Sequence, residues 1–365
     1  MNNIITVNYE DKPIYDITLE YNYNMLCREL NKLGTSRKKV CIVTDSNLSR
    51  HYLNELIELL KDYAKVVETF TFPAGENSKN LGTVQELYNR LIQSNFDRKD
   101  LLVALGGGVV GDLTGYAAAT YLRGIQFIQL PTSLLAMVDS SIGGKTGVDF
   151  QDYKNMIGAF HQPAAVYMNL STLYSLSDVQ YYSGLGEIIK YGLIKDRSYY
   201  SWLKKNIDSI KNREPDSLRE LVYKSCRIKQ EVVEKDPKEQ GERALLNFGH
   251  TIGHAIEKLM DFKLLHGECV AVGMVAASYL SYKKKWITLE ELEDIKVVIK
   301  AFELPISVRG LNPNEIYRVT THDKKMEGNK IKFVLLRCIG EAYIDMDVTQ
   351  TEILESIQYI LEDSF

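Results

Sequence analysis

Four short apolar runs, set apart by stretches of helical spacing, constrain this chain more than any other feature. Residues 39–44 (KVCIVT), 66–72, 101–105 and 125–130 are too short for helices and read as strands, the first of them buried. Strands that alternate with helices form a parallel sheet covered by those helices. Residues 53–63, 81–94 and 113–119 supply those helices, and Asp45-Ser46-Asn47 reads as a loop that caps the first of them. The order β-α-β-α-β-α-β therefore predicts an α/β fold, a doubly wound parallel sheet with ligands at the carboxyl ends of its strands. Ahead of it, residues 4–19 alternate like a hairpin and 22–33 have helical spacing.

Two glycine-rich segments interrupt this half. Gly106-x-Gly108-x-x-Gly111 follows a strand and opens a helix, where backbone amides can receive a pyrophosphate. A dinucleotide fingerprint of this kind usually sits in the first βα unit, with an acidic residue about 20 positions on. Here it comes after at least two βα units, and residues 125–130 at that distance hold no acid. A ribose carboxylate must then come from another strand end, with Asp45 and Glu76 the candidates. The second segment is a loop from Asp139 to Gly147 that contains Gly-Lys-Thr, but Asp139 holds the position of the first P-loop glycine, which excludes a Walker site. Lys145, between glycines, is still placed to meet an anion, and Lys154-Asn155 follows in another polar loop.

From residue 177 the strand pattern fades into helices. Three of the six histidines lie in residues 246–270 (LNFGHTIGHAIEKLMDFKLLHGECV). His250 and His254 leave one face of one helix, and His266 opens the next after a break near 261–265. Imidazoles converging from adjacent helices suit a divalent ion of zinc type. Gly249 and Gly253 weaken that helix, so another backbone or a ligand comes close. Thr251 stands where a zinc protease has glutamate. A catalytic zinc takes three protein ligands, and Glu187 is the candidate for one of them. It lies in the apolar, glycine-flanked helix 178–194, where a carboxylate needs a cation, either Lys190 three residues on or a metal. Cys269 reads as a small core residue of its helix.

A chain of 365 residues exceeds one ordinary core, so two domains are expected, 1–174 and 175–365. With 45% hydrophobic and 25% charged residues it has the composition of a soluble globular protein. A net charge of −4 speaks against nucleic acid as a partner, and an anionic substrate would be held by local lysines and arginines. Five scattered cysteines without Cys-x-x-Cys imply free thiols in a reducing compartment. The absence of a signal-like block and of any apolar run long enough to span a membrane makes the expected location cytoplasmic.

Several motifs, in order, resemble the 3-dehydroquinate synthase family. They are Gly-Gly-Gly-Val-Val-Gly-Asp at 106–112, Tyr-Leu-Arg-Gly at 121–124, Val-Asp-Ser-Ser-Ile-Gly-Gly-Lys-Thr-Gly at 138–147, Glu-Ile-Ile-Lys-Tyr-Gly at 187–192, Leu-Asn-Phe-Gly-His-Thr-Ile-Gly-His at 246–254 and His-Gly-Glu at 266–268. The resemblance implies an N-terminal NAD-binding domain, a helical C-terminal metal- and substrate-binding domain, a cleft between them and a homodimer. It implies zinc ligands at Glu187, His250 and His266, with cobalt as an alternative ion, and His254 near the reacting carbon. Asp139, Lys145, Asn155, Lys190, Lys229, Arg243, Asn247 and one of Lys324 and Lys325 match its substrate contacts. Arg123 matches an arginine that reaches the neighbouring subunit's site. Asp45, Glu76, Lys79, Gly108, Val109, Val110, Gly111, Asp112, Thr132, Ser133, Lys145 and Lys154 match its NAD contacts, Ser133 loosely, since many members carry Thr there.

The implied reaction turns 3-deoxy-arabino-heptulosonate 7-phosphate into 3-dehydroquinate and phosphate. NAD⁺ takes a hydride from C5, the ketone acidifies its neighbour so that phosphate leaves, the hydride returns, and an aldol step closes the ring. The rivals are a sister sugar-phosphate cyclase, a metal-dependent polyol dehydrogenase and a metal-stabilised NAD-binding regulator.

Overall fold

The computed structural model describes residues 3–151, 153–261, 263–322, 326–327 and 330–361. The chain divides into two compact units, Met1–Leu176 and Ser177–Phe365.

The first unit opens with an antiparallel pair, β1 (Ile4–Tyr9) and β2 (Lys12–Glu20). Helix α1 (Leu26–Lys32) precedes β3 (Lys39–Asp45), α2 (Leu53–Lys61), β4 (Val66–Phe72), α3 (Leu81–Gln93), β5 (Leu101–Gly106), α4 (Gly108–Thr120) and β6 (Gln126–Pro131). A hairpin of β7 (Lys145–Phe150) and β8 (Tyr153–Phe160) leads to β9 (Ala165–Asn169). The sheet runs β1-β2-β9-β6-β5-β3-β4, parallel from β2 onward. Alternation along the strands divides the core. Cys41, Val43, Leu102 and Ala104 pack with Val84, Leu87, Leu113 and Ala117 of α3 and α4. Val40, Ile42, Leu101 and Val103 pack with Leu26, Leu30, Leu56 and Leu60 of α1 and α2. Each Val, Leu or Ile among them adds about 1.5–3 kcal/mol of transfer free energy, and helices on both faces explain why β3 and β5 show no polar alternation.

Four local expectations are corrected. Helix α4 begins at Gly108, not near residue 113, so the glycine run is itself the helix N-terminus. Asp45 does not cap α2. Its carboxylate accepts from the amides of Asn47 (2.8 Å) and Leu48 (3.0 Å), closing a 3₁₀ turn at Leu48–Arg50. Lys154 and Asn155 lie in β8 rather than in a loop, and Asp139 sits in a π-helical turn, Ala136–Ser140.

The second unit is built on α5 (Asp178–Lys195), α6 (Arg197–Lys205), α7 (Ile207–Lys211), α8 (Pro215–Lys235), α9 (His250–Leu259) and α10 (His266–Lys283). After them come α11 (Leu289–Ala301), α12 (Pro313–His322), two short pairs, β10 (Met326–Glu327) with β11 (Lys330–Ile331) and β12 (Phe333–Cys338) with β13 (Glu341–Asp345), and α13 (Gln350–Ile360). Helix α10 is buried without interruption from Cys269 to Ser278 and packs against α5, α9, α11, α13 and β12. A helix apolar on every side belongs at the centre of a unit. Among the described residues no helix is long and apolar enough to cross a membrane. All five cysteines are free thiols, and Cys269 is fully buried, as a core residue should be.

Candidate functional site

Two helix crossings bring the histidines to Glu187. Gly186 on α5 lies against Gly267 on α10, where a Cβ on Gly267 would come within 1.8 Å of the Ser183 carbonyl oxygen. Gly273 on α10 lies against Gly249, where a Cβ would come within 1.9 Å of the Gly249 carbonyl oxygen. The glycines beside the histidines thus answer to another backbone.

Glu187 is fully buried. One oxygen, Oε2, pairs with the equally buried Lys190, so the i,i+3 pair is a core feature and not a solvated one. The other, Oε1, has no hydrogen-bond partner, yet lies 3.3 Å from His250 Nε2 and 3.4 Å from His266 Nε2. Ligands about 2.0–2.1 Å from a tetrahedral zinc stand about 3.3–3.4 Å from one another. A buried carboxylate oxygen unsatisfied by hydrogen bonds, at that separation from two imidazole nitrogens, is what a divalent cation requires. His254 completes the cluster: a ligand atom from each of the three histidines lies within 4.8 Å of the others. The ring centroids are 5.2–5.7 Å apart.

The far side of each ring fixes how it faces the site. His250 Nδ1 lies 3.1 Å from the Phe248 carbonyl oxygen, which can only accept, so Nδ1 carries the proton and Nε2 presents its lone pair. His266 Nδ1 lies 3.7 Å from Glu257 Oε2. Burial pushes His250 down to about 3, which keeps it neutral despite Glu187. Burial also works against charge on His266, but Glu187 and Glu257 outweigh it and push the ring up to about 9. Burial alone would raise Glu187; Lys190 and His250 hold it well below the usual carboxylate range instead.

The anion-binding candidates of this unit surround the approach to α9. Lys229 is buried on α8. Arg243 and Asn247 lie on the 3₁₀ turn Glu242–Asn247 that feeds α9. Arg243 is 2% exposed and donates to the Pro237 carbonyl oxygen at 2.8 Å; Asn247 donates to Glu239 at 2.9 Å. Lys324 and Lys325 lie outside the described residues.

The first unit gathers a second set. Strand β3 is neighbour to both β4 and β5, so the winding reverses between β3 and β5. That switch point, at the carboxyl ends of the strands, is where open α/β sheets bind ligands. Asp45 ends β3, and the glycine run follows β5. The run need not be first in sequence, because the winding places it beside the first parallel strand of the series. Helix α4 offers the free amides of its first turn there, those of Gly108, Val109 and Val110, while Gly111 donates its own to the Gly107 carbonyl oxygen at 3.0 Å. Ser133 and Ser140 border this turn: a Cβ on Gly107 would meet Ser133 Oγ at 3.4 Å, and one on Gly108 would meet Ser140 Oγ at 3.2 Å. Thr132 donates its amide to the Gly106 carbonyl oxygen at 3.0 Å. Lys79, 4% exposed, donates to Asp112 at 2.7 Å and Asn155 at 2.6 Å, with Glu76 at 3.8 Å. Burial disfavours its charge, but Asp112 and Glu76 prevail and hold its pKa above the ordinary value. Lys145 opens β7 and is exposed, and Lys154 is half-buried on β8. Arg123 is exposed in a turn beyond the far end of α4 at a φ of +68°, about 20 Å of helix from Gly108.

Family models for the N-terminal and C-terminal parts of 3-dehydroquinate synthase match residues 69–183 and 184–326. The chain belongs to the 3-dehydroquinate synthase family. Relatives of that name are 44% identical over 340 residues in Acetivibrio thermocellus (92% of this chain, 93% of the relative) and 46% identical over 328 residues in Acidithiobacillus ferrooxidans (90% of each). Among solved structures, a 2-epi-5-epi-valiolone synthase from Streptomyces hygroscopicus with NAD⁺ and Zn²⁺ bound superposes with a TM-score of 0.87 at 26% identity, over 98% of this chain and 99% of that one. A 2-deoxy-scyllo-inosose synthase complexed with carbaglucose-6-phosphate, NAD⁺ and Co²⁺ shares the fold, with a TM-score of 0.88 at 24% identity, over 98% of this chain and all of that one. The expected family, fold class and activity are those its relatives carry: an enzyme of the 3-dehydroquinate synthase family, a lyase of the shikimate pathway.

Asp236 was not singled out by the sequence. As the C-cap of α8 it accepts from the backbone amides of Gln240 (2.8 Å), Gly241 (2.7 Å) and Arg243 (3.0 Å), so this family member shapes the Arg243 loop through one carboxylate. An acid just after a helix and before a Gly-containing turn is the signal that was there to find. Burial acts to raise its pKa, but the three amides prevail and lower it. A depressed carboxylate stabilises the fold above its unfolded value, near pH 3.9, and that contribution is lost as pH falls through the folded value. Asp236→Ala is expected to cost about 1–2 kcal/mol at pH 7. The gap to the parent should close below about pH 4. Urea unfolding at both pH values checks this, and a gap unchanged at acid pH would refute it.

Proposed function

We propose that this enzyme converts 3-deoxy-arabino-heptulosonate 7-phosphate to 3-dehydroquinate and phosphate, with NAD regenerated in each turnover. The observation that carries the reading is Glu187 Oε1, buried, without a hydrogen bond, and at tetrahedral-edge distance from His250 and His266. These three residues would hold a zinc-type ion; cobalt favours similar ligands. NAD bound at the α4 turn supplies hydride transfer, and the ion lowers the pKa of the reacting hydroxyl.

The chain's own residues do the rest. Lys190 neutralises the second oxygen of Glu187 and so leaves a single oxygen for the metal. His254, beside the metal ligands but assigned no ligand role, moves the proton. Lys229, Arg243, Asn247 and one of Lys324 and Lys325 hold the anionic ends of the substrate, Arg243 through its two-pronged guanidinium. Asp139, Lys145 and Asn155 are further substrate contacts. Asp45, Glu76, Lys79, Asp112, Thr132, Ser133 and Lys154 join the helix amides around NAD. Arg123, about 20 Å along α4 from that cradle, serves the neighbouring subunit of a homodimer.

The test is phosphate release from the heptulosonate phosphate with substoichiometric NAD⁺, while NADH absorbance is followed. Many turnovers without net NADH are expected. Release from sedoheptulose 7-phosphate instead would make the enzyme a sister cyclase. NADH accumulating with simple polyols would make it a dehydrogenase. On the same assay, Arg243→Ala should raise KM and lower kcat, a combined loss of roughly 30- to 1000-fold for a buried charge partner worth about 2–4 kcal/mol. Unchanged kinetics would remove Arg243 from the site.

A further inference from the structure

We propose that Glu257 is a positioning residue of the metal centre, holding the His266 ring by its Nδ1 side so that Nε2 faces Glu187. The inference rests on the reading of Glu187, His250 and His266 as ligands. Glu257 is 5% exposed, and a carboxylate is buried only against a compensating partner. Its Oε2 lies 3.7 Å from His266 Nδ1, less than about 1 Å beyond N–H···O contact. The same ring presents Nε2 to Glu187 Oε1 at 3.4 Å, so two carboxylates face its opposite nitrogens. His250, His254 and Glu257 are spaced i, i+4, i+7 and form one stripe of α9 facing α10.

The two ligand histidines are oriented by different means. His250 uses the backbone carbonyl of Phe248, which no substitution removes. His266 is the first residue of its helix, and its acceptor comes across from α9. A carboxylate there does more than a carbonyl. It fixes the proton on Nδ1 and makes Nε2 a stronger electron-pair donor. Glu257 touches neither substrate nor NAD in this assignment and acts only through His266.

The experiment measures zinc affinity of the metal-stripped full-length protein by competition with a chromogenic chelator. Glu257→Gln, which keeps the shape and loses the charge, should weaken zinc about 10-fold, and Glu257→Ala about 100-fold. Glu257→Asp should recover part of the loss. The visible spectrum of the cobalt-loaded protein should shift in Glu257→Gln, since the field at the ion changes. The thermal midpoint of the metal-free protein should stay near that of the parent. Parental zinc affinity in both Gln and Ala variants, with none left in His250→Ala, would overturn the role of Glu257 and leave the ligand set standing. A lowered midpoint with parental affinity would overturn it too, as a purely structural role. A parent that binds neither zinc nor cobalt would overturn the ligand set and this inference together.

Discussion

His250→Ala is expected to strip zinc from the protein and lower turnover on the order of 1000-fold or more, because Lewis-acid stabilisation is worth several kcal/mol. The substitution deletes one of two imidazole nitrogens at 3.3–3.4 Å from Glu187 Oε1 and leaves a buried oxygen that no hydrogen bond satisfies. A tetrahedral ion with two protein ligands is held far less tightly than one with three. His254→Ala is the informative contrast. If Glu187, His250 and His266 hold the ion, His254→Ala keeps one zinc per chain and loses only the proton-transfer part of the rate, about 100- to 10,000-fold. If the three histidines hold it instead, His254→Ala loses zinc as well. Metal content by mass spectrometry, with circular dichroism to verify the fold, separates these results. One zinc per chain retained in His250→Ala would remove His250 from the centre.

The parallel sheet was readable because its central strands β3 and β5 are buried on both faces and so appear as nearly unbroken apolar runs; the edge strand β4 matched residue for residue although it is mostly half-buried. The histidine stripe was readable for the same kind of reason, since i,i+4 spacing on an apolar face survives in sequence. What was hidden is instructive. The hairpin of β7 and β8 pairs Gly147 with Gly158, and a Cβ on Gly158 would stand 2.5 Å from the Thr146 carbonyl oxygen. Close backbone approach demands residues with low strand preference, so the segment reads as loop. Glycine likewise disguised the start of α4, where a helix N-terminus is built from poor helix formers. Glu257 escaped notice because its partner is 9 residues on, across a helix break. Asp236 escaped because its partners are amides, which carry no sequence signature.

Gly273→Ala is expected to destabilise the second unit by about 3 kcal/mol, the upper end for an overpacked core. The new Cβ would sit 1.9 Å from the Gly249 carbonyl oxygen, 2.8 Å from its carbon and 3.0 Å from the Gly253 nitrogen. All three are backbone, so no rotamer change relieves the clash, and α9 or α10 must shift by more than an ångström. Gly249 cannot yield easily, because it caps α9 at a φ of +80° with Met274 N and the Val270 carbonyl oxygen already close. His250 is the next residue, so the same displacement pulls one imidazole away from Glu187. Stability and metal affinity should therefore fall together, with the thermal midpoint down by roughly 6–12 °C for a unit of this size and zinc weakened at 25 °C, where the fold persists. Gly241→Ala is the control: its Cβ would meet nothing nearer than 3.7 Å, and both properties should stay near those of the parent. A Gly273→Ala protein that melts within a degree or two of the parent would show that the helices can part at no cost. The close crossing would then not be what sets the histidines against Glu187.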